Sequence, residues 1–220
     1  MTNRLALFDC DGTLVDSQAN ICLSMEEAFL HAGLEAPGRE AIRRIIGLSV
    51  VEAIAALSPQ LDDARHRTLA EDYKSAFFRL RTSGAMDEEP LFEGMIAALD
   101  TLAEAGWLFG VATGKSDRGL ARILDHHGIA GRFVTLQTAD RHPSKPHPSM
   151  IELAMAEAGA SPETTVMIGD TSYDMMMARA AGTRALGVAW GYHPPHELTA
   201  AGAHSVAERV ADLPGLMETV

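Results

Sequence analysis

The sequence is poor in cysteine, with only Cys10 and Cys22 in 220 residues. Two thiols cannot form the disulfide framework of a small secreted scaffold, and a reducing cytoplasm is the default expectation. Long hydrophobic runs are missing as well. No stretch approaches the ~18 uninterrupted apolar residues that a membrane span needs. The first twelve residues, MTNRLALFDCDG, carry one Arg and a short apolar run ending in acids, which is not the pattern of a secretory signal. Positive charge is also scarce: 18 Lys and Arg stand against 30 Asp and Glu, a net charge of -12. No basic tail or Lys/Arg-rich run relieves it, so the surface repels nucleic-acid phosphates. The expected protein is soluble and cytoplasmic, with neither a nucleic acid nor a membrane as partner. Any phosphate-bearing ligand then requires local positive charge to overcome the background.

What is present is a regular alternation. Short apolar runs at Leu5–Phe8, Trp107–Ala112, Phe133–Gln137, Thr165–Ile168 and Ala185–Ala189 read as strands buried on both faces of a parallel sheet. Helical patterns lie between them at Gly94–Ala105, Arg118–His127, Pro148–Ala158 and Tyr173–Ala181. The expected fold class is α/β, with a doubly wound, Rossmann-like parallel sheet. One region breaks the alternation. Ala19–Ala32, Arg39–Ile46, Val50–Leu57 and Asp63–Arg81 all read as helices, punctuated by Gly33, Gly38, Gly47 and Pro59. The expected organisation is a core of residues 1–16 and 86–220, with an all-helical domain of residues 17–85 inserted after the first strand. Thr82–Pro90 reads as the return linker.

The chemistry concentrates at the ends of the strands. Asp9 and Asp11 sit one residue apart where the first run stops, followed by Gly12 and Thr13. Two carboxylates and a flexible turn at one spot suit the holding of a hard cation and attack on phosphorus, although they also make a plain turn. VATGKS spans Val111–Ser116, SKPHP spans Ser144–Pro148, and IGDTSYD spans Ile168–Asp174. Each follows a strand or leads into a helix. In open α/β sheets ligands bind at the carboxyl ends of the strands, so the four segments converge on one edge. Pro143 and Pro146 stiffen the backbone around Lys145, which makes it the strongest cation of the set. Lys115 reads equally well as a solvated surface group. His142 and His147, beside prolines in a loop, read as exposed and not as metal ligands. The run Met175–Met177 reads as packing. Cys10 reads as a small core hydrophobe.

These four motifs, in this order, resemble the haloacid dehalogenase superfamily of phosphohydrolases in its branch with a helical cap, with phosphoglycolate phosphatase-like members nearest. The resemblance runs from Asp9 to Asp174. It implies that Asp9 is the nucleophile that forms an aspartyl-phosphate, and that Asp11 is general acid and then base. It implies that Thr113 and Lys145 complete the catalytic set. It implies phosphate binding by Gly12, Thr13, Thr113, Gly114 and Lys145. It implies a Mg²⁺ site from Asp9, the Asp11 carbonyl and Asp170, with Asp174 close by and counted among the metal residues. In the cap, Arg43, Gly47 and Ser49 become candidate substrate contacts, with Arg43 or Arg44 able to pair an anionic group, although two arginines on an amphipathic helix read first as a solvated face. Asp16 and Ser17 become the first hinge.

The implied activity is Mg²⁺-dependent hydrolysis of a small phosphorylated metabolite, phosphoglycolate-like or a sugar phosphate. Pyrophosphatase and phosphomutase remain open, because the cap decides between them. Dehalogenation does not need the second aspartate, so Asp11 argues against it. Phosphonate cleavage would need a cap lysine, and only Lys74 is available, late in the last cap helix. A non-enzymatic binding module would predict a damaged motif, and none is damaged.

Overall fold

The computed structural model describes residues 3–219. The outermost bounds of the expected core, residues 1–2 and 220, lie outside the described residues.

Six parallel strands form one sheet: β1 (Asn3–Phe8), β2 (Trp107–Thr113), β3 (Phe133–Thr138), β4 (Ala160–Gly169), β5 (Arg184–Val188) and β6 (Ser205–Ala207). Their order is β3-β2-β1-β4-β5-β6. The order reverses at β1, which lies between β2 and β4, and such a switch point opens a crevice at the carboxyl ends of the strands. The register sets that edge level: Phe8 stands opposite both Val111 and Ile168. Residues following β1 and β4 therefore emerge side by side.

Alternation along β1 explains why its run is continuously apolar. Ala6 and Phe8 point into one core with Met95 and Leu99 of α5 (Met95–Glu104) and with Leu120 and Ile123 of α6 (Asp117–His126). Leu5 and Leu7 point to the opposite core. Met150 and Ala154 of α7 (Ser149–Ala158) meet them there, as do Met175 and Met177 of α8 (Ser172–Ala180). Helices on both faces leave both sides of the strand inside apolar cores. Cys10 is buried in the first of these cores.

The helical region carries its own core. It contains α1 (Gln18–His31), α2 (Arg39–Arg43), α3 (Val50–Leu57) and α4 (Asp63–Thr82). Ile21, Met25, Phe29, Ile42, Ile54 and Leu69 pack together there, apart from the sheet cores. The two crossings between insert and sheet run side by side: Asp16 N–H donates to Pro90 O at 2.9 Å and Phe92 N–H to Leu14 O at 3.1 Å. Glu89 is buried in the return crossing. Its Oε2 accepts from Arg81 of α4 at 3.0 Å and from Arg122 of α6 at 3.1 Å, so one carboxylate ties the insert to the sheet domain.

Several sequence expectations are corrected. The helix expected over Arg39–Ile46 stops at Arg43, because the next bonds tighten to three-residue spacing, Ile45 N–H to Ile42 O and Ile46 N–H to Arg43 O. Strand β6 and the two last helices, α9 (Pro195–Ala201) and α10 (Leu213–Met217), were not expected. Met175 and Met177 are buried, but Met176 faces outward. His142 is half-buried, bridging Ser149 Oγ at 2.7 Å and Gln137 Oε1 at 2.9 Å. No helix of the described residues is long and apolar enough to cross a membrane.

Candidate active site

The switch point delivers Asp9 directly. Its backbone N–H bonds to Ile168 O of β4 at 2.9 Å, the last rung before the strands part. Its side chain is buried. Oδ1 accepts from Cys10 N–H at 2.6 Å and lies 3.0 Å from Lys145 Nζ. Oδ2 is buried and has no hydrogen-bond partner among the described residues.

Asp170 follows β4. Its Oδ1 accepts from the Thr13 hydroxyl at 2.9 Å and its Oδ2 from Tyr192 N–H at 2.9 Å. The turn after Asp11 approaches so closely that a methyl group on Gly12 would stand 2.2 Å from Asp170 Oδ2. Gly12 also has φ +81°, so turn geometry and close approach both call for glycine here. Thr13 thus uses its hydroxyl to hold Asp170.

Asp174 lies in the first turn of α8. Its Oδ2 accepts from Thr171 N–H at 3.1 Å and from Thr171 Oγ1 at 2.7 Å, completing a capping box. Its Oδ1 accepts from Lys145 Nζ at 2.7 Å. Helix cap and site residue are therefore the same group. Lys145 is buried between Asp174 and Asp9. Burial works against its charge, but Asp174 and Asp9 outweigh burial and raise its pKa above the ordinary lysine value.

The charges in this cluster do not balance. Asp9, Asp170 and Asp174 can each offer an oxygen within 4.8 Å of the others, against one ammonium. Burial pushes Asp9 up to about 7, helped by Asp174 and Asp11 and opposed by Lys145. Burial, with Asp9 and Asp174, also drives Asp170 well above the usual carboxylate range. A dry site with three carboxylates, one cation and an orphaned oxygen on Asp9 is short of positive charge. An all-oxygen donor set is what a hard divalent ion such as Mg²⁺ takes. Asp9 and Asp170 fit it. Each oxygen of Asp170 takes one donor and keeps a lone pair for an ion, whereas Asp174 Oδ2 already takes two donors from Thr171 and its Oδ1 the Lys145 ammonium, so Asp174 is the carboxylate that holds the lysine.

Asp11 turns away from the cluster, toward the insert. Its Oδ1 accepts from the Ser17 hydroxyl and lies 2.7 Å from Lys115 Nζ. Lys115 is therefore not the solvated residue that the sequence left possible. Burial disfavours its charge, yet Asp11, with Cys10 and Glu89 beyond it, raises its pKa above the ordinary value. Thr113 is buried at the end of β2, and its hydroxyl accepts from Lys115 N–H at 3.3 Å.

The insert closes against this edge through residues 47–49. A methyl group on Gly114 would lie 2.6 Å from Leu48 O, and one on Gly47 would lie 3.2 Å from Thr171 Oγ1. Ser49 N–H donates to Ser144 Oγ at 2.9 Å, next to Lys145. Gly47 and Ser49 therefore sit where insert and sheet meet. The arginines do not reach the carboxylate cluster. Arg43 lies 3.7 Å from Glu40 on its own helix. Arg44 makes a two-point contact with Glu197 of α9, at 3.0 and 2.7 Å, while its carbonyl accepts from Tyr173 Oη at 3.1 Å and meets His193 Nε2 at 3.2 Å. Arg44 thereby bridges the insert and the sheet domain.

Comparison with known proteins identifies the family and the fold. A family model described as haloacid dehalogenase-like hydrolase matches residues 6–188. A protein of Dickeya dadantii named probable phosphatase IndB is 33% identical over 216 residues, covering 96% of this chain and 92% of that one. A phosphoglycolate phosphatase of Vibrio parahaemolyticus is 26% identical over 221 residues, covering 96% and 94%. A crystal structure described as a predicted phosphatase from Clostridium acetobutylicum superposes with a TM-score of 0.88 at 23% identity, covering all of both chains, and so shares the fold.

Proposed function

The chain belongs to the haloacid dehalogenase-like hydrolases and is a phosphatase by type; from that premise we propose that it hydrolyses a small-molecule phosphate monoester through an aspartyl-phosphate on Asp9, with Mg²⁺ as its ion. The observation that carries this reading is Asp9 itself. It is a buried carboxylate with one oxygen free of hydrogen bonds, 3.0 Å from Lys145 and at the switch point of the sheet.

Asp9, Asp170 and the Asp11 carbonyl would hold Mg²⁺, which when bound would neutralise charge on the phosphoryl group. Lys145 adds a fixed ammonium, and Asp174 keeps it aimed at Asp9. In this reading Thr113 and the Gly114 amide, at the end of β2, hydrogen-bond phosphoryl oxygens. The Asp9 carboxylate attacks phosphorus, and the bond from phosphorus to the ester oxygen breaks. Asp11 gives a proton to the departing oxygen. Asp11, now a carboxylate, takes a proton from water. That water attacks phosphorus, the aspartyl–phosphate bond breaks, and inorganic phosphate leaves. Residues 17–85 act as a cap, and their closure through residues 47–49 excludes bulk water during the first step. Lys115 shares the wall with Asp11 and brings the positive charge that an acidic surface lacks.

The test is phosphate release from a panel of small monoesters and pyrophosphate, with Mg²⁺ and with EDTA, beside Asp9→Asn. Release that needs the metal and disappears in the variant is expected. A folded, Mg²⁺-loaded protein that releases no phosphate from any member would refute the reading.

A further inference from the structure

A cavity of about 520 Å³ opens beside the carboxylate cluster, between the insert and α6. It lies within the range of sites that hold drug-sized ligands. Asp11, Gly114 and Lys115 line its inner end, whereas Asp9, Lys145 and Asp170 do not line it. The separation has a chemical meaning. The group that protonates a leaving oxygen must lie within hydrogen-bond reach of it. Asp11 is that group, so whatever is attached to the oxygen extends from Asp11 into this cavity.

The walls are apolar. Ile21 and Met25 come from α1, Ile45 and Ile46 from the turn after α2, and Tyr73 and Phe77 from α4. The cations that border them are already engaged. Lys115 is on Asp11 at 2.7 Å, Arg81 and Arg122 share Glu89, and Lys74 is on Glu71 at 2.7 Å. Arg118 lies over the Phe78 ring, 5.4 Å from its centre, a cation–π contact at the rim of the cavity.

We propose that the leaving group of the substrate is a bulky apolar alcohol, with an aromatic or comparably sized body, seated between α1 and α4. This rests on the phosphatase reading above and names the substrate class of that same site. A two-carbon glycolate would leave most of the cavity as water against Ile, Met and Phe side chains. A pyrophosphate would bring a second charged phosphate against the same Ile, Met and Phe side chains, at a desolvation cost that an apolar body does not meet.

The experiment compares kcat/KM for 2-phenylethyl phosphate and ethyl phosphate, whose leaving alcohols differ little in basicity, with phosphoglycolate and pyrophosphate alongside. All assays use saturating Mg²⁺. Burying a phenyl-sized body predicts a preference of roughly 10–100-fold for the phenylethyl ester over the ethyl ester. Val50→Phe would narrow the cavity, and Phe78→Ala would remove part of its rim at a side chain that is already half exposed. Each should bring the ratio of the two esters toward 1, with folding checked by circular dichroism. A ratio near 1 in the parent protein, a preference for phosphoglycolate or pyrophosphate, or a high ratio that neither variant moves would overturn the proposal and leave the phosphatase reading standing. No release from any ester would instead refute that reading, and this inference with it.

Discussion

Replacing Asp9 with Asn in the metal-free protein removes one negative charge from a buried group of three carboxylates and one ammonium. The sign of its effect on stability follows from the local charges. Burial pushes Asp9 from 3.8 up to about 7, with Asp174 and Asp11 adding to it and Lys145 opposing. A displacement of about three pH units, at about 1.4 kcal/mol each, makes the ionised form cost roughly 4 kcal/mol in the folded protein relative to the unfolded chain. The unfolded carboxyl loses its proton near pH 4, and the folded one keeps it until about pH 7. Between those values the folded state holds more protons, so this group's contribution to stability falls as pH rises through the window. Asn keeps the shape of the neutral acid and has no proton to lose. In EDTA, Asp9→Asn should match the parent near pH 4 and exceed it by up to about 4 kcal/mol at pH 8. For a chain of this size that corresponds to roughly 8–15 °C in Tm. Thermal melts at pH 4 to 8 read the gap. Mg²⁺ should then raise the Tm of the parent more than that of the variant, because a ligand stabilises by its affinity for the folded state. A variant less stable than the parent at pH 8 in EDTA, or a gap that does not widen with pH, would refute the charge argument.

The other predictions address the rest of the site. Asp11→Asn should lower kcat/KM, which reads the steps up to loss of the alcohol, by about 10²–10⁴-fold on an alkyl monoester and by much less on p-nitrophenyl phosphate, whose leaving phenolate needs no proton. Equal losses on both would remove Asp11 from the acid role. Gly114→Ala places a methyl 2.6 Å from Leu48 O, so the insert cannot seat. Turnover should fall about tenfold or more while the unfolding midpoint of the sheet domain barely changes, and unaltered turnover would contradict the closed contact. Arg44→Ala, Glu197→Ala and the double variant should show a coupling below about 1 kcal/mol in stability, because both side chains are substantially exposed, at 42% and 30%. KM should rise in each as the clamp loosens. A coupling of several kcal/mol would show the pair to be structural.

Much of the sheet was legible because parallel strands covered on both faces read as apolar runs, as Leu5–Phe8, Trp107–Ala112, Val166–Ile168 and Ala185–Val188 do, whereas β3 carries buried Thr135 and Gln137 and the first half of β4 is polar. Their ends were legible because chemistry-bearing residues appear abruptly there: Asp9 after Phe8, Thr113 after Ala112, Asp170 after Gly169. Strand β6 has three residues at the sheet edge, and α10 only five, too few for either periodicity to register. The site residues left undecided share a different trait. Lys115 and Arg44 each have a partner far away in the chain, Asp11 and Glu197. A lysine or arginine in a polar stretch carries no local mark of such a partner. The signal for Lys115 was present only indirectly, in the need of an acidic chain for positive charge near its phosphate site.

The cavity was the least legible feature, and the reason is general to packed helices. Ile21 and Met25 on α1 and Ile45 and Ile46 beyond α2 belong to the insert's own core and also line the open space. Apolar spacing along a helix reports which face avoids water. It does not report whether the volume facing it is filled by another side chain. A residue that fills a core and one that walls a substrate pocket therefore have the same sequence pattern, and only the volume left unfilled separates them. Here that volume begins at Asp11, the one acid of the site that faces the insert, and this gives the unfilled space a chemical role. On the reading proposed here, the motifs at the strand ends carry out bond cleavage, and the space that α1, α4 and α6 leave open beside Asp11 selects the alcohol.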